Sequence, residues 1–187
     1  MLRAVAVALV IAGVAAGADP GYDSAREKIA SIEEDRAAPG SRIWLSIREL
    51  NAYAYHEALE AVPKGLWNPR LVLGPGWATG SATVDLLKIR EMKGPPPGAL
   101  IAWFLSGERP VEATADILSG QGRATVTVKQ VTLSGVAVKG AVLDFLIANF
   151  LLPFYPEAKI GRPFELKHNV ECFVIAPNGV TVVIAGR

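Results

Sequence analysis

The sequence predicts an α+β fold built on antiparallel hairpins, and three observations carry that expectation. The run "VEATADIL" alternates cleanly, with Val111, Ala113, Ala115 and Ile117 facing one way and Glu112, Thr114 and Asp116 the other. A period of two is the mark of a strand with one buried face. Glycine-bearing turns at Gly74-Pro75-Gly76, Gly120-Gln121-Gly122 and Pro177-Asn178-Gly179 separate such runs, which makes hairpins of them. Ahead of the strands, Ser46-Ile47-Arg48-Glu49 has the spacing of a capping box, in which the hydroxyl takes an amide proton of the first turn while the carboxylate reaches back.

The elements follow in order. "MLRAVAVALVIAGVAAGADP" carries one basic residue, Arg3, an apolar run from Ala4 to Ala16, and small residues at Ala16-Gly17-Ala18. This is the layout of a secretory signal peptide over residues 1–18. The run is shorter than the about 20 apolar residues of a spanning helix. Cleavage after Ala18 is expected, leaving 187 − 18 = 169 residues; retention as an anchor is the other reading. Residues 19–40 form an N-terminal helical arm, with "YDSAREKIASIEEDRA" charged on most faces and anchored by little beyond Ile29 and Ile32. A single domain over 41–187 follows.

In that domain, Ile43 and Leu45 suit a short strand or a staple before the helix "SIRELNAYAYHEALEAV", which has Ile47, Leu50, Ala54, Ala58 and Ala61 on one face. "LWNPRLVLGPGWATGSATVDLLKI" reads as two strands. "RATVTVKQVTL" is a further strand whose apolar register shifts between Val128 and Val131, which predicts a bulge. "RPFELKHNVECFVI" puts Phe164, Leu166, His168, Val170, Cys172 and Val174 on one face, and "VTVVIAG" is the last strand. A short apolar helix is expected at residues 98–107, after the loop "MKGPPPGA".

"KGAVLDFLIANFLLPFYP" is the unusual stretch. Between Gly140 and Leu152 only Asp144 and Asn149 are polar, and on an α-helix they lie about 500°, or roughly 140°, apart. Apolar material is therefore expected around most of this helix: the rest of the protein, a partner or membrane, or an apolar ligand. Asp144 could cap the helix, pair with Lys139 or Arg162, or meet a ligand head group.

Composition excludes several function classes. Removing Arg3 leaves 19 − 1 = 18 Lys+Arg against 18 Asp+Glu, so no net charge draws nucleic acid. One cysteine, Cys172, permits no internal disulfide, and with two histidines there is no zinc set. His56 is expected on the solvated side of its helix and His168 on the apolar face of its strand. Cys172 shares that face but sits about 14 Å from His168 at strand rise, beyond contact, and reads as a small buried hydrophobe. Single acids on strands, such as Asp85, are expected to face water. No nucleophile, base and orienting group assemble, so no enzyme and no cofactor are expected.

The order of a capped helix "IWLSIRELNAYAY", alternating strands, "GAVLDFLIANFLLPFYP" and a hairpin ending "PNGVTVVIAG" resembles the small bacterial envelope proteins of the tubular lipid-binding (TULIP-like) superfamily. The closest local match is the spacing of Leu45 to Leu50-Asn51-Ala52 at the helix opening. The resemblance covers roughly residues 42 to 186. It implies a highly curved antiparallel sheet wrapped around one or two apolar helices, leaving an apolar groove. It also implies a periplasmic or extracellular protein that binds a lipid or apolar small molecule. The candidate ligand-binding residues are Leu143, Leu146, Ile147 and Phe150 on the long apolar helix, Trp103 and Phe104 at an entrance, and His168 within the groove. The alternative is a structural or interaction protein of the envelope, whose apolar helix is core or docks on a protein partner or membrane surface.

Overall fold

A computed structural model describes residues 19–61, 65–91, 106–151 and 160–186. Its architecture is α+β, with antiparallel sheets of three and six strands. Helix α1 spans Pro20–Glu33 and β1 spans Arg42–Ser46. Helix α2 spans Ile47–Ala61, followed by the hairpin of β2 (Leu66–Gly74) and β3 (Trp77–Asp85) and by the short helix α3 (Leu86–Glu91). Next come β4 (Glu108–Gly120), β5 (Arg123–Leu133) and β6 (Val136–Val138). Helix α4 (Ala141–Leu146) then runs into a π-helical turn, Ile147–Leu151, before β7 (Phe164–Glu165), β8 (Val170–Ala176) and β9 (Gly179–Ile184).

The larger sheet has the order β2-β3-β4-β5-β6, with β7 also pairing β5, and the smaller has the order β1-β9-β8. The hairpins expected at the three glycine turns all form. The expected bulge is present: Thr114 pairs Gln130 and Ala115 pairs Val128, so Lys129 is the extra residue. At the β8–β9 turn, a Cβ on Gly179 would stand 2.2 Å from the Leu45 carbonyl oxygen, so only glycine lets β9 approach β1 there.

Four expectations need correction. Residues 164–174 are not one strand: His168 and Asn169 adopt left-handed backbone conformations that break it between β7 and β8. Asp85 does not face water; it is buried, because its carboxylate accepts the Lys88 amide (3.1 Å) at the start of α3 and pairs with the Lys88 ammonium (3.3 Å). The N-terminal helix is not loose: Ala25, Ile29 and Ile32 are buried against Leu45, Tyr53, Val170, Val182 and Ile184. His56 is half-buried rather than solvated, its ring stacked 3.9 Å from that of Tyr22 on α1. The helix expected at 98–107 lies almost wholly outside the described residues.

Helix α2 ties these parts together. Its capping box is formed: Ser46 N donates to Glu49 Oε2 (2.8 Å), and Glu49 N to Ser46 Oγ (3.2 Å). Tyr53 enters the cluster beneath α1. Ile47 and Leu50 pack on a second cluster of Leu71, Leu73, Ala78, Ile117, Val126, Ile175 and Val180, which joins the two sheets. Ala58 enters a third, with Leu66, Ala82, Val84, Leu86 and Ile89.

Single side chains also cover the sheet edges. Asn51 Oδ1 accepts the Leu71 amide (2.7 Å) and its Nδ2 donates to the Leu71 carbonyl (3.1 Å), so an amide stands where a strand beside β2 would be. Ser119 does the same for Phe173 on β8, at 2.8 and 3.0 Å. Unpaired edges invite association with other chains, and these contacts block it. We expect Asn51→Ala to destabilise the protein by about 2 kcal/mol, since it orphans a part-buried amide and carbonyl at once. Urea unfolding of the two proteins measures this, and an unchanged midpoint would contradict it.

Candidate functional site

Residues paired across a sheet share a face. On one face of the six-stranded sheet the pairs are polar: Thr79 with Thr114, Ser81 with Glu112, Asp116 with Thr127. The inner face is apolar. Its two ends are core, one packed on the smaller sheet and the other under α2 and α3. Between them runs a row in which Gly80 pairs Ala113, Ala113 pairs Val131, and Val131 pairs Val138. Ala115 and Val128 form the adjoining pair. All six residues are only half-buried. Among the described residues, Ala113, Val128, Val131 and Val138 belong to none of the three core clusters. Small side chains at positions 80, 113 and 115 leave the floor of this strip low.

Among the described residues, one long side of β5 is only partly paired beside the strip. β6 pairs only Val131–Leu133, β7 pairs only Arg123 and Ala124, and Ile160 bridges Val126. Among the described residues, Thr127–Gln130 have no strand on that side. Lys129 guards the gap, its ammonium 2.8 Å from Asp116; charge and a bulge together are how natural edges resist pairing.

The segment between β6 and β7 carries α4. None of its six residues is buried. Val142 and Phe145, three apart and so on one face, are 50% and 39% exposed. Leu143, Leu146 and Ile147 are half-buried, and Leu146 packs against the cluster of Ala58, Leu66 and Leu86. The π-turn contacts α3, and Asn149 Nδ2 donates to the Phe145 carbonyl (2.8 Å). Asp144 is exposed, and among the described residues no ion pair joins it to Lys139 or Arg162. Leu143, Leu146 and Ile147 lie three and four residues apart on this helix and its π-turn. The Phe150 side chain, Trp103 and Phe104 lie outside the described residues. His168 stands apart, in the turn before β8, its Nδ1 3.6 Å from Asp35 Oδ1 beyond α1.

No family model matches the chain, and no curated protein does.

The densest polar cluster is elsewhere. Glu49, buried under α1, accepts the Ser24 hydroxyl (2.6 Å) and the Lys28 ammonium on Oε1, and the Ser46 hydroxyl (2.7 Å) and amide on Oε2. Lys28 also donates to the Trp44 carbonyl (2.9 Å). Burial alone would raise the Glu49 pKa, but the donors from Lys28, Ser24 and Ser46 outweigh it and bring it from 4.5 down to about 2. A carboxylate so stabilised is a weak base near neutral pH. The cluster is a clasp between α1 and the start of α2. Among the described residues, no group of three or more His, Cys, Asp or Glu is placed to hold a metal ion, and no helix is long and apolar enough to cross a membrane.

Sequence reading missed the strip. Its residues were visible as the small and branched positions of "VEATA" and "TVTVKQV", but only the pairing register brings them into one row.

The clasp has a pH signature. A pKa held below its unfolded value adds stability that is present above about pH 4.5 and lost as pH falls toward 2. At about 1.4 kcal/mol per unit, Glu49 contributes about 3 kcal/mol. We expect Glu49→Gln to be less stable than the wild type at pH 7, and that difference to shrink steadily toward pH 2. Denaturation measured across this range checks it; a constant difference would contradict it.

Proposed function

We propose that the protein binds a lipid or similar apolar molecule non-covalently, outside the cytoplasm, and performs no chemistry on it. The observation that carries this reading is the half-covered apolar strip of Ala113, Ala115, Val128, Val131 and Val138, lying between two fully formed core clusters. Apolar surface left near water holds free energy that a ligand can release, at about 25 cal/mol per Å² covered. The apolar helix after β6 supports the same reading, with Leu143 and Ile147 only half-buried. The signal-peptide layout of residues 1–18 supports an exported protein, and the TULIP-like order of elements supports an apolar ligand. A second reading, an interaction protein of the envelope, is favoured by the outward faces of Val142 and Phe145, which suit a partner protein or a membrane surface.

The test is native mass spectrometry of protein purified without detergent, then organic extraction and titration with a fluorescent fatty acid. Ala113→Leu fills the strip without adding polarity. If its larger side chain displaces roughly three ligand methylenes, each worth about 0.8 kcal/mol, affinity is expected to fall about fiftyfold, at about 1.4 kcal/mol per tenfold. Uptake unchanged by Ala113→Leu would place the ligand elsewhere. A clean apo mass with no uptake by the wild type would favour the interaction reading.

A further inference from the structure

The outward face of the smaller sheet is largely apolar. Trp44 pairs Thr181 and Thr181 pairs Val174, so the three share one row. Arg42, Val183 and Cys172 form the next row. The alternate residues, among them Leu45, Val180, Val182 and Ile175, turn inward and are buried in the core clusters. None of the six outward residues belongs to a cluster. Trp44 is 39% and Val174 46% exposed. The Trp44 ring lies across Gly179, where a Cβ would stand 2.7 Å from its Cζ2. The larger sheet meets water differently, with Thr79, Ser81, Glu112 and Thr114 on its outer face.

Two observations choose the occupant of this face. The first is area. Three strands about 4.8 Å apart, each five residues long at about 3.4 Å per residue, cover roughly 14 by 17 Å, or about 240 Å². A stable protein interface buries about 800 Å² on each partner, so the face is too small to hold a second copy or another protein by itself. A bilayer surface sets no such minimum, because apolar side chains enter its boundary layer individually. The second observation is charge. Arg42 is the one charged residue in the two rows; it is exposed, and among the described residues no ion pair engages it. The acids at the two edges of the sheet are already occupied: Glu49 by Lys28, and Glu171 by the Gln121 amide (3.1 Å). A guanidinium matches phosphate oxygens, and tryptophan gathers at the depth of lipid head groups.

We propose that this face docks the protein on an anionic bilayer surface, with Trp44 and Val174 among the head groups and Arg42 against the lipid phosphates. The inference does not depend on the strip. The test is co-sedimentation of the mature protein, residues 19–187, with vesicles of phosphatidylcholine alone or mixed equally with phosphatidylglycerol. Binding is expected to the mixed vesicles and to be weaker to phosphatidylcholine alone. Arg42→Gln is expected to lower the partition coefficient about fivefold, the usual worth of one basic residue at an anionic surface. Trp44→Gln is expected to lower it about tenfold or more, through the apolar area it withdraws. Both variants are expected to keep wild-type uptake of the fluorescent fatty acid, so the face and the strip fail separately. No sedimentation with either vesicle, or sedimentation unchanged in both variants, overturns the proposal. A dimer in sedimentation equilibrium without lipid, dissociated by Trp44→Gln, overturns it in favour of a second copy. Equal binding to the two kinds of vesicle overturns the part given to Arg42. Should Trp44→Gln fail to fold, Arg42→Gln, at an exposed position, and the vesicle comparison decide.

Discussion

The Asn51 amide, bonded to both backbone groups of Leu71, is the contact on which the arrangement turns. It fixes α2 against the edge of the larger sheet at one depth and one rotation. With that set, Ile47 and Leu50 meet the cluster joining the sheets, Tyr53 meets α1, and Ala58 meets the end of β3 and α3. The capping box ahead of it and the Glu49 clasp to Ser24 and Lys28 fix the start of the same helix against α1. One helix thus touches all three apolar clusters, and a slip by one residue would withdraw it from each.

That economy has a consequence for the inner face. The smaller sheet and the start of α2 cover one end, while the far end of α2, α3 and Leu146 cover the other. Neither set reaches the middle, where Ala113, Val128 and Val131 remain half-buried. An ordinary core closes over such residues, because interiors pack near crystal density. Here small residues line the floor, and among the described residues no strand pairs the edge beside them over Thr127–Gln130. Apolar surface, more than any titratable group, is what the site offers.

Much of the fold was legible in the sequence. The hairpins followed from alternation and glycine turns, the helix start from Ser46 and Glu49, and the bulge from the register change around Lys129. Other features depended on contacts between distant segments. His168 broke its strand through local backbone conformation, against an alternation that ran straight through it. Asp85 was buried because a helix begins at the next residue, and α1 was docked by three small or branched side chains that looked too few. The strip required knowing which strands are neighbours. The long apolar helix was expected to be wrapped on most sides, yet α4 has no buried residue; Leu146 packs against a core cluster, while Val142 and Phe145 face outward.

The central claim is that the middle of the inner face is open to an apolar chain. The direct measurement is methyl NMR of the protein with a fatty acid that bears a nitroxide on its tail. The account predicts that the methyl signals of Val128, Val131 and Val138 broaden, while those of Leu73 and Val182, enclosed in the core clusters, stay sharp. Sharp signals from all three valines in the presence of bound fatty acid would contradict it.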